Sequence, residues 1–320
     1  MQLTLLVPEL IWPEPDDRDT LDALACPALN TLLARSRLTR RAPQSLEATL
    51  TDAFGLPEGA PYGALRLLGE SAAPAGLAAD ACWLCADPVH LRFQQNQLIL
   101  ADSGSFGIEL DEAQAIAGAL NAHFSDVGRF HVAAAERWYL QLAATSGLDQ
   151  IDVPPLSAIA GRRVEQQLPA TPQTANLRRL LNEAQMVLHE HPANALRENA
   201  GRLPINSLWL WGAGVLPPHM GKNFTAVWSS NPLALGLGRA AGVPVQAVPH
   251  DAATLAGELR RLHGAEADRW IARILPIAPT PERSTAIRAE LAAGRVPDDL
   301  DPEVARYVAE RGRPGKTAGA

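Results

Sequence analysis

Three polar side chains at a regular spacing form the clearest chemical pattern in the sequence. In the stretch HPANALR, His191, Asn194 and Arg197 follow one another at intervals of three residues. If the segment after Pro192 is helical, they share one face of the helix, and the proline suits the first helical turn. Such a face could bind an anion through the arginine and a hydroxyl through the asparagine. Alternatively, His191 and Asn194 satisfy backbone groups where two helices meet.

A second pattern lies where the apolar run at residues 208–211 ends. The run shows no alternation of polar and apolar residues, which is typical of a strand covered on both faces. Gly212 and Gly214 follow at its carboxyl end, where open parallel sheets bind their ligands. Pro217 and Pro218 replace the third glycine and the helix start of a dinucleotide-binding loop, which disfavours nucleotide binding. We expect the glycines either to line a ligand cleft or to let the chain turn out of a buried strand.

Asp87 and His90 form a third candidate, in the stretch CADPVHLRF. They flank Pro88 in a predicted turn or strand entry. Two potential ligands are too few for a catalytic zinc ion, which normally takes three from the protein. We keep both as candidate ligand-binding residues; alternatively, Asp87 accepts hydrogen bonds from turn amides and His90 is buried or lies at a sheet edge.

The thiols and the known catalytic motifs add no further site. Cys82 and Cys85 form a CxxC pair without a second pair to complete a zinc site, and we interpret them as plain buried thiols. The sequence contains no GxSxG, P-loop or HExxH pattern. We therefore assign no catalytic residue, no metal ligand and no cofactor.

Composition narrows the class of partner. The 320 residues carry a formal net charge of -7 without long acidic runs, and no basic stripe stands out that would bind nucleic acid or a membrane surface. This charge fits a small or a non-anionic partner better, and with Arg197 as a possible anion-binding group we expect a small anionic ligand or a protein as the partner. The amino terminus has no charged leader and its apolar run is too short to cross a bilayer, which predicts a cytoplasmic protein.

Short apolar runs alternate with segments of helical spacing. Strands are predicted at 3–7, 96–102, 129–135, 137–143, 205–211, 224–230 and 243–248. Helices are predicted at 20–37, 45–54, 111–124, 173–190, 231–241 and 251–263. This alternation indicates an α/β fold with a mostly parallel sheet flanked by helices. The polar pair between the runs at 129–135 and 137–143 predicts a hairpin in a smaller inserted α+β subdomain.

Two long stretches carry a resemblance to known families. LNEAQMVLHEHPANALRENAGRLPINSLWLWGAG and CADPVHLRFQQNQLILAD resemble the proteobacterial RpfE-type regulatory proteins. The same stretches are more distantly similar to archaeal-type, cofactor-independent phosphoglycerate mutases of the alkaline phosphatase superfamily. That resemblance implies an alkaline-phosphatase-like core, which we place at 1–80 and 200–275, with an inserted subdomain and connecting helices at 81–199. The prolines and the ending GRPGKTAGA predict peripheral helices and a disordered tail at 276–320.

The wider resemblance also implies a two-metal site, whose ligands the sequence does not match. The metal-binding Gly-Asp-Gly after the first strand of the mutases is replaced by Pro8-Glu9, and Ser45 lacks the neighbours of their nucleophile. We therefore predict a non-catalytic regulatory or ligand-binding protein. The alternative is a divergent metal-dependent mutase or phosphoesterase. Its site would be built from a different set of residues: Glu9, Ser45 or Thr49, Asp87, His90 and His250.

Overall fold

The structure is a computed structural model that describes most of the middle of the chain. The described residues are 4–6, 44–57, 59–71, 80–94, 97–160 and 172–249, with single positions between 254 and 261. The predicted helix at 20–37 and the predicted tail at 276–320 lie outside them. In the predicted strand at 3–7, residues 4–6 have no regular secondary structure.

Helices and strands alternate along this part of the chain. The helices are α1 (Leu46–Ala53), α2 (Tyr62–Gly69), α3 (Leu110–His123), α4 (Leu156–Ile159), α5 (Pro172–His189), α6 (Pro192–Asn199) and α7 (Pro232–Ala240). The strands are β1 (Trp83–Gln94), β2 (Gln97–Ala101), β3 (Gly128–Ala134), β4 (Arg137–Leu142), β5 (Ser207–Gly214), β6 (Val227–Trp228) and β7 (Val245–Gln246). A single 3₁₀ turn follows β2 at Ser103–Ser105.

Side-chain caps define several helix starts. The Ser45 hydroxyl accepts a hydrogen bond from the backbone N–H of Ala48 (3.1 Å) and begins α1. Asn231 caps α7, with Pro232 in the first turn. Both satisfy backbone donors that a helix leaves free at its amino end, so these boundaries follow from local sequence.

The main sheet is antiparallel and is organised around β1. Strands β2, β4 and β5 each pair antiparallel with β1, and β3 pairs antiparallel with β4. The predicted hairpin is confirmed, since Ala134 pairs with Arg137 across its turn. The parallel pairing in the described residues is between the two short strands β6 and β7, joined by α7.

The prediction of a mostly parallel sheet is therefore wrong for the described residues. Residues 207–211 of β5 are all buried, and successive side chains of a strand point to opposite faces, so β5 is covered on both faces as predicted. That burial does not require parallel neighbours, because α2 and α5 both pack against β5. Strand β5 also pairs with β1, whereas the predicted neighbours at 224–230 and 243–248 pair only with each other.

Two hydrophobic clusters share the helix α2. The larger cluster lies between the sheet and the helices α3 and α5, and it includes Ala64 and Leu67 of α2. The smaller cluster surrounds α7 and includes Leu65 of α2. Helices α2 and α7 approach closely at two glycines: a Cβ atom at Gly69 would lie 1.7 Å from the Pro232 carbonyl oxygen, and one at Gly236 would lie 1.7 Å from that of Leu65. Glycine is therefore required where these helices cross.

The predicted division into a core and an inserted subdomain stays a prediction. Within the described residues, the pairing of β1 with β5 carries one sheet across the predicted boundary near residue 200. None of the helices in this part of the chain combines the length and the apolar character that a bilayer crossing needs.

Candidate functional site

An arginine and an aspartate form a buried ion pair between α2 and the sheet. The Arg66 guanidinium donates to both carboxylate oxygens of Asp87 on β1, at 2.6 and 2.9 Å. The indole Nε1 of Trp211 on β5 donates to Asp87 Oδ2 (2.9 Å). Asp87 is 1% exposed, so its carboxylate accepts hydrogen bonds from protein donors rather than from solvent.

The pair continues into a longer polar network. Arg66 Nε donates to the Tyr139 hydroxyl (2.9 Å), which donates to Glu70 Oε1 (2.7 Å). Arg137, half-buried, donates from Nε to the same Glu70 oxygen (2.7 Å). The network thus runs from Asp87 in the interior to Arg137 near the surface. All its charges are paired, as buried charges must be.

The surroundings shift the pKa of Arg66 and of Tyr139. Burial opposes the charged form of Arg66, but Asp87 and its other acidic neighbours together outweigh burial, and the pKa of Arg66 lies well above its ordinary value. Burial raises the pKa of the Tyr139 hydroxyl well above its usual range, so it remains a neutral donor to Glu70. The guanidinium of Arg66 also lies 4.8 Å from the ring centroid of Tyr139 and 5.2 Å from that of Trp211. The network holds α2 on the sheet and leaves no free acid or base.

The predicted polar face of α6 exists, and it turns inward. Asn194 is 3% exposed, and its amide donates to the carbonyl oxygens of Leu188 and Ile205 (both 2.7 Å) while its oxygen accepts from the Ile205 N–H. The ring Nδ1 of His191 accepts from the Ala193 N–H and caps the helix. Both side chains thus satisfy backbone groups. Ligand binding by them stays a prediction.

Arg197 lies on the same face of α6 and is also enclosed. Its guanidinium donates to Glu112 of α3 (2.8 Å) and to the carbonyl oxygens of Leu203, Phe106 and Gly107 (2.7–3.1 Å). Its side chain is fully buried. The arginine predicted to bind an anion therefore holds two loops and α3 together.

Asp87 and His90 lie on one strand but on opposite faces. They stand three positions apart in β1, and the side chains of a strand alternate. The structure places His90 Nδ1 2.8 Å from the Pro204 carbonyl oxygen, away from the Arg66 network. They do not converge on one ligand, and the predicted turn around Pro88 is a continuous strand.

The two glycines of β5 play different parts. Gly212 has a positive φ of 67°, and a Cβ atom there would lie 2.6 Å from the Tyr62 Cβ, so it lets the start of α2 approach the strand. Gly214 lines a groove of about 560 Å³ at the end of the sheet. The other lining residues come from the segment before β1, the end of β4, the segment after it and the position after β5: Asp80, Ala81, Cys82, Gln141, Leu142, Ala143, Ala144, Ser146, Asp149, Gln150 and Val215.

The lining of this groove mixes polar and apolar residues and lacks basic side chains. It presents two carboxylates, two side-chain amides, one hydroxyl and one thiol. A site without a cationic group does not favour a phosphate, whereas carboxylates and amides suit hydroxyl groups or a cation. Burial raises the pKa of the Cys82 thiol, and burial raises that of Cys85 well above its ordinary value. Both cysteines carry free thiols in the structure, as predicted, although Cys82 is only half-buried.

The side chains of the alternative phosphotransferase site are not assembled in the described residues. Ser45 caps α1, and the Thr49 hydroxyl donates back to the Ser45 carbonyl oxygen (2.9 Å). Glu9 and His250 lie outside the described part of the chain. Within that part, no three His, Cys, Asp or Glu side chains are grouped closely enough to hold a metal ion.

Sequence reasoning missed the partners of Asp87. Arg66 and Tyr139 stand 21 and 73 positions from their network partners, so no local pattern links them. One signal was available: Arg66 interrupts the apolar stretch YGALRLLG, and a lone charge on an apolar helix needs a buried partner.

Comparisons with known proteins point to one group of enzymes. The 2,3-bisphosphoglycerate-independent phosphoglycerate mutase of Methanosarcina mazei is 28% identical to this chain over 246 residues, which cover 72% of this chain and 59% of that protein. A second such mutase, from Methanothermobacter thermautotrophicus, is 33% identical over 119 residues, covering 37% of this chain and 29% of that protein. The chain is distantly related to the cofactor-independent phosphoglycerate mutases.

This likeness has clear bounds. The chain spans about three fifths of the length of the Methanosarcina relative. No family model matches the sequence. Among solved structures, the cofactor-independent phosphoglycerate mutase of Thermoplasma acidophilum matches with a TM-score of 0.37 and 20% identity, over 67% of this chain and 60% of that one.

Proposed function

We propose that this protein is a non-catalytic, ligand-binding relative of the phosphoglycerate mutases, with its ligand site in the groove beside Gly214. One observation carries the proposal: in the stretches that resemble the mutases, the candidate polar side chains bond to protein groups. Asp87, Asn194 and Arg197 are all buried and hydrogen-bonded internally. The groove at the end of β5, in contrast, presents polar groups to solvent.

The chemistry of the groove supports a neutral or cationic ligand over a phosphorylated one. Asp80 and Asp149 are exposed at the groove, and a phosphate placed there would be repelled by both. The small anionic ligand predicted from Arg197 would need that buried arginine to be released. A regulatory role in the manner of the RpfE-type proteins, an alkaline-phosphatase-like core and a cytoplasmic location remain parts of the proposal.

The alternative is a divergent metal-dependent mutase or phosphoesterase. The similarity to the mutases over 246 residues favours it. In that case Glu9 and His250, outside the described residues, would have to complete a metal site with carboxylates that are now internally paired.

An activity assay separates the two functions. The purified full chain is incubated with 3-phosphoglycerate and, separately, with p-nitrophenyl phosphate, each with added Mn²⁺, Co²⁺ or Zn²⁺. We expect no isomerisation and no phosphate release above the buffer. Metal-dependent turnover that is lost on replacing His250 by alanine would establish the alternative and reject the proposal.

A binding measurement tests the site. A ligand that binds only the folded protein raises its unfolding midpoint, so a thermal-shift screen of polyols, amines and phosphoglycerates identifies the ligand class. The variant Val215→Trp fills the groove and should abolish the shift. Met186→Trp places the same side chain on the exposed face of α5, away from the groove, and should leave the shift unchanged. A shift that survives in Val215→Trp would place the ligand elsewhere.

A further inference from the structure

Two buried polar atoms beside the groove have no hydrogen-bond partner. They are Nε1 of Trp83, at the start of β1, and Nε2 of His131, in β3. The two rings are in contact, with centroids 5.1 Å apart, and are tilted by 59° to each other. Buried polar atoms without partners are rare, and here two of them belong to neighbouring rings.

The hydrogen bonding of His131 determines what that group must be. The Gln141 side chain interacts with the His131 ring and raises the pKa of the imidazole, against the larger lowering by burial and Arg129. Because Nε2 has no partner, Nδ1 is the ring nitrogen that can bond to Gln141, and when Nδ1 carries the proton of the neutral ring, Nε2 is an acceptor. The indole N–H of Trp83 is only a donor. A group that fits both atoms accepts one hydrogen bond and donates another, as a hydroxyl does.

The position of the pair connects it to the groove. Trp83 is 3% exposed, and its register partners are Gln141 on β4 and Gly214 on β5, both of which line the groove. Gln141 therefore contacts the groove and His131 at once. Burial lowers the pKa of the His131 imidazole most, and the charge of Arg129 on the same strand lowers it further. Both favour the neutral ring.

We propose that Trp83 and His131 form a buried binding site for one hydroxyl group, supplied by an ordered water or by a small polyol that enters through the groove. Trp83 Nε1 donates to the hydroxyl oxygen, and the hydroxyl donates to His131 Nε2. If the hydroxyl belongs to a water, the inference is independent of the proposed function. If it belongs to a polyol, the inference rests on the proposed function.

Nuclear magnetic resonance of the full chain tests the pair directly. The Trp83 indole and His131 ring signals are assigned from Trp83→Phe and His131→Phe. We expect the Nδ1–H tautomer of His131 at pH 8. We also expect a Trp83 indole proton that either contacts a long-lived water or shifts saturably with added glycerol. 1,2-Dimethoxyethane accepts hydrogen bonds but cannot donate them, and it should produce no such shift.

The outcomes separate the sources and the proposals. A water contact unaffected by glycerol supports the water source, and a saturable glycerol shift lost in His131→Phe supports the polyol source. An Nε2–H tautomer, or an indole proton with neither contact, overturns the inference. His123→Gln, on the partly exposed His123 of α3, is the matched control and should leave the Trp83 signal unchanged. Mutase turnover in the same sample would reject the proposed function without affecting this result.

Discussion

The indole of Trp211 on β5 and the guanidinium of Arg66 on α2 donate to the same oxygen of Asp87. Both contacts are 2.9 Å. One carboxylate thereby links α2, β1 and β5. Asp87, predicted to bind a ligand, accepts three internal hydrogen bonds. Its replacement should therefore lower the free energy of unfolding.

Replacing Asp87 by asparagine should destabilise the protein by about 3 kcal/mol, because it leaves the Arg66 charge buried without a counter-charge. Urea unfolding measures the change. The double variant Arg66→Met with Asp87→Leu should cost much less than the two single changes together, since it removes both charges. Asp126→Asn, at an exposed position, is the control and should change the unfolding free energy little. An effect as small as this for Asp87→Asn would contradict the structural role of Asp87.

Replacing Asn194 by alanine should cost about 3 kcal/mol, because it leaves the N–H and the carbonyl oxygen of Ile205 without partners, whereas the Leu188 carbonyl oxygen keeps the His191 N–H. His191→Ala removes only a helix cap and should cost about 1 kcal/mol. Both are read from urea midpoints. If Asn194 instead serves a ligand, its replacement would weaken binding in the thermal-shift assay while leaving the unfolding free energy nearly unchanged.

His131 should make stability depend on pH in the acid range. Burial, followed by Arg129, lowers its pKa in the folded protein below the ordinary value of about 6.5. Above that value the imidazole is neutral in both states. As the pH falls, the unfolded chain takes up the proton first, so stability decreases until the pH passes the lowered folded pKa. Comparing urea unfolding of the protein and of His131→Gln from pH 8 to pH 4 isolates this contribution, which the variant should lack.

The two described thiols should differ in their response to alkylation. Because burial raises the pKa of both, each should react more slowly in the folded protein than in urea. Half-buried Cys82 should be modified by iodoacetamide as the pH rises, whereas fully buried Cys85 should react only after unfolding. Peptide mass spectrometry follows each site. Modification of Cys85 at the rate of Cys82 in the native protein would contradict the burial described here.

Gly236 should tolerate no side chain. Its Cβ atom would lie 1.7 Å from the Leu65 carbonyl oxygen, so Gly236→Ala must force α7 away from α2, at a cost of about 3 kcal/mol. Gly118→Ala is the matched helical control: apart from its chain neighbours and the backbone of its own helix, no atom lies within 4 Å of the new methyl group, and it should stabilise α3 by about 0.5–1 kcal/mol. Thermal unfolding of both variants tests the contrast.

The parts of the fold that local sequence determines were predictable. The β3–β4 hairpin, the start of α7 at Asn231 and the helix after Pro192 each follow from turn or cap residues next to the element. Strand β1 was missed because Pro88, which cannot donate to a neighbouring strand, normally argues against a central strand. The direction of the sheet was missed because burial on both faces of β5 is compatible with parallel and antiparallel neighbours alike.

The candidate site was less predictable than the fold. The spacing of Asn194 and Arg197 correctly placed them on one helical face, but spacing alone cannot say whether a polar face meets a ligand or the protein interior. That distinction depends on distant segments, such as Glu112 for the arginine and Ile205 for the asparagine. The ring contact between Trp83 and His131 joins residues 48 positions apart through the register of three strands, which no sequence pattern encodes.

The sharing of α2 between two hydrophobic clusters also bears on how the chain is made. The outer face of α2 is covered by α7, and Arg239 at the end of that helix donates to the Leu68 carbonyl oxygen, 171 positions earlier in the chain. A ribosome synthesises the segments in order, so α2 emerges long before the helix that covers it. Until α7 emerges, the part of α2 that it covers, including Leu65, lacks its native partner and can contact other chains.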